Sequence, residues 1–174
     1  MKRVVGIDPG ASGALVLLSP EARVLAVEDM PTFSVKVGRA NKTRVSAAQL
    51  AGALRHWDAE HGVDLIVCEE VHAMPGQGVS SMFAFGEALG VVKGVCAALG
   101  LPLHMVAPQE WQKATRTRGG KDGARARASE LWPGSAHYFK RVKDDGRADA
   151  ALIACYGQQT IRPGSRSDSL GDLL

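Results

Sequence analysis

A chain of 174 residues holds one domain with a sizeable core and leaves little room for a second. Its 45% hydrophobic and 22% charged residues make a globular balance that excludes disorder, collagen and coiled coil as the main class. A net charge of +3 is too mild to name a partner, so the distribution of charge matters more than its sum.

Residues 3–9, 12–18 and 23–27 read as strands joined by the short turns Pro9-Gly10 and Ser19-Pro20-Glu21, an antiparallel meander. After Pro31 a polar loop carries Lys36, Arg39, Lys42 and Arg44 with no acid among them. Ser46 caps a predicted helix to about Glu60, with Leu50, Leu54 and Trp57 at helical spacing and His61-Gly62 ending it. Val63–Cys68 is a short apolar run suited to a strand buried on both faces, and Met74–Gly78 reads as a loop. Ser80 opens a helix to about Leu99, in which Met82, Phe83, Phe85, Leu89 and Val92 read as core packing, with a dimer interface the sharper reading.

A fifth strand follows at 101–106, then a short helical turn at 108–113 and a glycine-rich basic loop at 115–122. Two further helices are predicted, near Ala124–Leu131 and from Asp145 or Gly146 to about Gln158. The order β-β-β-α-β-α-β-α gives an α/β class: a five-stranded mixed sheet, meander first and parallel strands after, flanked by helices. Residues 1–158 would form the domain and 159–174 a flexible tail. Cys68, Cys96 and Cys155 lie in apolar stretches without a CxxC pair, which suggests reduced core thiols in a cytoplasmic protein. No apolar run approaches the ~18 residues of a membrane span, and the N-terminal residues lack a signal-peptide pattern.

Three acidic stations stand out. Asp8 ends the first strand, Glu69 and Glu70 end the fourth, and Asp144, Asp145 and Asp149 begin the last helix. The carboxyl ends of neighbouring parallel strands share one edge, where ligands favour binding. Asp145 and Asp149, four apart, project from one helix face. Four carboxylates gathered without cations would repel by several kcal/mol. Oxygen donors with no His/Cys set suit Mg²⁺ or Mn²⁺, and two such ions ~4 Å apart can activate water and stabilise a leaving oxygen at a phosphodiester. Singly, each station has a plainer account: Asp8 an Asx turn, Glu69-Glu70 a solvated strand edge, Asp145 a helix cap. The joint pattern favours the metal site.

Arg116, Arg118, Lys121, Arg125 and Arg127 form a cluster opposed by Asp122 alone, and Lys140, Arg141 and Lys143 precede the last acids. With the 36–44 loop these cations flank the acidic stations as a phosphate-tracking surface would. Trp111, Tyr138 and Phe139 suit either base stacking or burial. Neither a GxGxxG nor a Walker motif is present, so no nucleotide cofactor is implied.

Gly6-Ile-Asp-Pro-Gly10 followed by Ser12-Gly-Ala, then Glu69-Glu-Val-His-Ala-Met-Pro-Gly-Gln-Gly-Val-Ser-Ser81, then Asp145-Gly-Arg-Ala-Asp-Ala150, resemble the RuvC family of Holliday junction resolvases, closest to its shorter phage-type members. The resemblance implies a ribonuclease H-like fold, a homodimer, and Mg²⁺- or Mn²⁺-dependent paired nicking of four-way DNA with two ions per site. It matches Asp8, Glu69, Asp145 and Asp149 to the catalytic, metal-holding acids. Glu70 stands where the bacterial members carry Gln, which leaves a swap between Glu69 and Glu70 open. His72 matches an aromatic used near the junction centre, and the final acids are four apart rather than three. Other readings are a same-fold nuclease for other branched DNA or RNA/DNA hybrids, and a branched-DNA binder that does not cut.

Overall fold

The computed structural model describes residues 2–38, 40–70 and 78–161, with the backbone alone at Lys121. Strands β1 (Val4–Asp8), β2 (Ala14–Leu18) and β3 (Val24–Asp29) form the expected antiparallel meander. A basic hairpin, β4 (Thr32–Val37) and β5 (Ala40–Val45), stands apart as a second sheet. After it come α1 (Ala47–His61), β6 (Leu65–Glu69), α2 (Val79–Leu99), β7 (Leu103–Val106), α3 (Pro108–Ala114), α4 (Gly120–Leu131) and α5 (Asp145–Thr160). The main sheet runs β3-β2-β1-β6-β7, with β6 parallel to β1 and to β7.

Side-chain alternation divides the sheet into two cores. Val5, Ile7, Ile66 and Cys68 face α1 and α2, meeting Leu50, Leu54, Trp57 and Val92. Val4, Leu65 and Val67 face the other way, towards α5 and Trp111. Gly6 lies on this second face, where an added Cβ would fall 2.0 Å from the Ala150 carbonyl oxygen and 2.5 Å from the Ala154 nitrogen. Only a bare backbone admits α5 so close to the sheet. The alanine-rich buried stretch Ala148–Cys155 completes that contact.

Ser46 caps α1 as expected, its side chain accepting from the Gln49 N–H. All three cysteines are free and buried; burial pushes the Cys96 thiol up to about 11 and raises the other two, so none is poised as a thiolate.

Four expectations are corrected. The loop after Pro31 is the β4–β5 hairpin: Phe33, Val35 and Val37 alternate with polar residues, a period-2 strand signal hidden behind the cations, and Gly38 turns it at φ 62°. Helix α4 starts at Gly120, inside the predicted loop, after Gly119 and Gly120 both adopt positive φ. The apolar series on α2 is only partly core: Val92 is buried, whereas Phe83 is 71% exposed and Phe85 38%. By length and composition alone α2 is also apolar enough to cross a membrane. It carries Glu87 and Lys93, and it buries Ala88, Val92, Val95 and Cys96 in the core it shares with α1. The last helix extends to Thr160, and most of the expected tail lies outside the described residues.

Candidate active site

Asp8 and Glu69 are the last residues of neighbouring parallel strands. By the same alternation that assigns Val4 and Val67 to the α5 face, both carboxylates share it. Glu70, one residue further, falls on the opposite phase, and its N–H is held by the Val106 carbonyl. Asp8 is fixed locally: its Oδ1 accepts from the Gly10 N–H at 3.2 Å, so the Asx turn is present and compatible with the site. Gly13 makes room for it, since a Cβ there would lie 2.8 Å from the Asp8 carboxyl carbon.

Glu69 is half-buried. Burial pushes its carboxyl above the ordinary range; the Trp111 indole N–H, donating to Oε1 at 2.9 Å, pulls it back, and the neighbouring Asp8 charge adds a further upward push. Trp111 is itself buried. Its role is therefore to orient Glu69 rather than to stack on a base, a role that composition gave no sign of.

The first turn of α5 lies against the β1–β2 turn, with a Cβ on Gly146 falling 2.7 Å from Gly13 Cα. Asp144, not Asp145, occupies the cap position. It is buried and held by Arg141 through Nε and Nη2, and Arg147 bridges towards it from Asp29. These guanidinium groups hold the Asp144 carboxyl below its ordinary value despite burial. Asp145 accepts from Arg125 Nη1 at 2.5 Å, and Arg125 also donates to the Val142 carbonyl and pairs with Asp122. Asp149, one turn on, opens into a cavity of about 460 Å³ lined by Trp111, Gln112, Thr117, Arg118 and Gly119.

Asp8 and Glu69 thus stand on neighbouring strand ends, and Asp145 and Asp149 on the helix packed against that sheet face. They form an all-oxygen donor set suited in kind to a hard divalent cation. In this arrangement no three Asp, Glu, His or Cys among the described residues converge on a single ion. Asp145 is turned to Arg125.

The predicted basic surface is also sorted. Lys36, Arg116, Arg118, Lys140 and Lys143 are exposed, and Lys42 is half-buried. Arg44 is engaged with Glu87 at 2.6 Å and Arg141 with Asp144. The 116–127 cluster has more partners than Asp122, because Arg127 pairs with Glu130 and Arg125 with Asp145. Arg39, His72 and the Lys121 side chain lie outside the described residues. Phe139 is buried in the core, against the stacking reading.

A meander, two parallel strands at its side and a helix packed across the acid-bearing face define a ribonuclease H-like fold. Within that fold the chain is similar in sequence to RuvC resolvases. It is 28% identical over 128 residues to the crossover junction endodeoxyribonuclease RuvC of Mycobacterium ulcerans, covering 72% of this chain and 67% of that protein. With RuvC of Corynebacterium glutamicum it shares 29% identity over 120 residues, 69% of this chain and 53% of the relative. Among solved structures it is similar to T. thermophilus RuvC in complex with a Holliday junction substrate, with TM-score 0.59, 16% identity, and 90% and 92% of the two chains covered. The yeast mitochondrial Holliday junction resolvase Ydc2 gives TM-score 0.55 at 19% identity, covering 90% and 78%. No family model matches the sequence.

Proposed function

We propose that this chain is a crossover junction endodeoxyribonuclease that resolves four-way DNA junctions, acting in the cytoplasm as a homodimer with two Mg²⁺ or Mn²⁺ ions per site. The observation that carries the reading is the shared placement of Asp8 and Glu69 at the ends of β1 and β6, opposite Asp145 and Asp149 on α5. Glu69 is favoured over Glu70 because it shares a sheet face with Asp8 and is oriented by Trp111. Bound divalent cations would supply an activated water and charge stabilisation at the leaving oxygen of the phosphodiester. Asp8, fixed by its turn, and Glu69, fixed by Trp111, would hold that charge in register with the sheet. The helix acids would close the site from above.

Arg116, Arg118, Lys36, Lys42, Lys140 and Lys143 would follow the DNA backbone, with Arg39, Lys121 and His72 as further candidates. Arg44 and Arg141 would contribute mainly through the partners they already hold. For the dimer, the unpartnered face of α2 is the favoured surface: Phe83 is exposed, and Gly86, Gly90 and Gly94 recur every fourth residue without a neighbouring atom. The test is cleavage of a labelled synthetic junction in Mg²⁺ and Mn²⁺, beside linear duplex, flap and RNA/DNA hybrid. Paired symmetric nicks in the junction support the reading. Cutting of hybrid or flap alone reassigns the substrate, and tight binding with no nick in either metal makes the chain a junction-binding protein.

A further inference from the structure

Arg125 is engaged on three sides. Its guanidinium donates to the Asp145 carboxylate, to the Val142 carbonyl and to Asp122. Both side chains of the Asp145 pair are largely shielded, 13% exposed at Arg125 and 17% at Asp145, so solvent screens the pair less than a surface ion pair. The two residues sit on different helices, α4 and α5, and Val142 lies in the segment leading into α5. Arg125 therefore fixes the direction of the Asp145 carboxylate and anchors the backbone that carries it.

That arrangement matters because Asp145 and Asp149 share one helix face, while Asp8 and Glu69 occupy the strand ends below. A carboxylate already neutralised by a guanidinium is a poorer donor to a divalent cation, since the same charge cannot be fully satisfied twice at short range. We propose that Arg125 competes with a divalent cation for Asp145: the ion pair holds the acid in the cation-free protein and opens when the site loads. This rests on the metal-dependent reading above. Loading then carries a structural consequence, because releasing Arg125 loosens the tie between α4 and the start of α5. The glycine-rich turn before α4, which borders the Asp149 cavity with Arg118, would gain freedom at the moment the site fills.

The test measures Mn²⁺ binding directly, by loss of the free-ion electron paramagnetic resonance signal. It compares the full chain, Arg125→Gln, Asp145→Asn and the double variant, with Asp8→Asn as the site control and thermal melting to confirm folding. Competition predicts that Arg125→Gln binds Mn²⁺ tighter by about fivefold, the worth of a modest ion pair, and that the gain disappears in the Asp145→Asn background. An equal gain in both backgrounds would reduce Arg125 to long-range charge and overturn the proposal. Weaker binding in Arg125→Gln would overturn it too, making Arg125 a residue that orients Asp145 for the ion. If Arg125→Gln does not fold, Arg125→Lys replaces it: a smaller gain dependent on Asp145 supports the proposal, and unchanged or weaker binding overturns it. Mn²⁺ binding that is absent, or indifferent to Asp8→Asn, instead brings down the metal-dependent reading itself.

Discussion

The strand acids and the helix acids are held by different physics. Asp8 and Glu69 are set by sheet register, a local turn and one indole hydrogen bond, none of which involves a counter-charge. At the start of α5, the cap residue Asp144 and the first helical residue Asp145 are held by arginines, drawn from the preceding segment, from α4 and from α5 itself. A ladder of backbone hydrogen bonds has few alternative arrangements, whereas an ion pair can exchange partners. The comparison teaches that this edge combines a fixed half with an adjustable half.

Breaking the fixed half gives the largest expected effect. Glu69→Gln should abolish junction cutting, while Glu70→Gln, on the opposite strand phase, leaves it within a few-fold; gel assays in Mn²⁺ decide it. Equal losses would mean that the strand phase does not sort the two. Breaking the frame of the adjustable half is next. Asp144→Ala removes the buried carboxylate that accepts from the Arg141 N–H and guanidinium, while Arg147 keeps Asp29, and should cost about 2 kcal/mol in urea unfolding.

A smaller change in the site sharpens the contrast. Trp111→Phe keeps an aromatic core residue but deletes the donor to Glu69 and leaves a small cavity, so Mn²⁺ affinity should fall about tenfold and the melting temperature by a few degrees. The smallest concerns Asp29, whose carboxyl is held below its ordinary value of 3.8 chiefly by its hydrogen bonds from Arg147. A depressed acid stabilises the fold above its unfolded value and loses that contribution as pH falls through the folded one. Asp29→Asn should therefore cost under ~1 kcal/mol near neutral pH, because Asp29 itself is well exposed. The difference from the parent should close in acid, as followed by melting curves.

Most of the fixed half is legible in the sequence. Strand alternation and short turns located β1, β2 and β6, and the acids at their ends followed. The hairpin was not, because four cations in residues 32–45 outweighed the alternation of Phe33, Val35 and Val37. The adjustable half was legible as residues but not as partners. Arg125 and Asp145 are 20 apart in sequence, and their meeting depends on how α4 lies across α5. The Trp111–Glu69 bond spans 42 residues, beyond any local pattern. Phe83 and Phe85 misled for the reverse reason: apolar spacing on a helix shows a face, not what covers it.

Gly6 has no side chain to offer a ligand, yet it sets the spacing between the acid-bearing strands and α5. With the Ala150 carbonyl oxygen 2.0 Å from where its Cβ would stand, it acts as a spacer of zero thickness between strand and helix. Any side chain there would work as a shim, lifting α5 and widening the gap between Asp8 and Asp149 without altering either acid. The reach between the two halves of the site is thus encoded by a missing methyl group two residues upstream of Asp8.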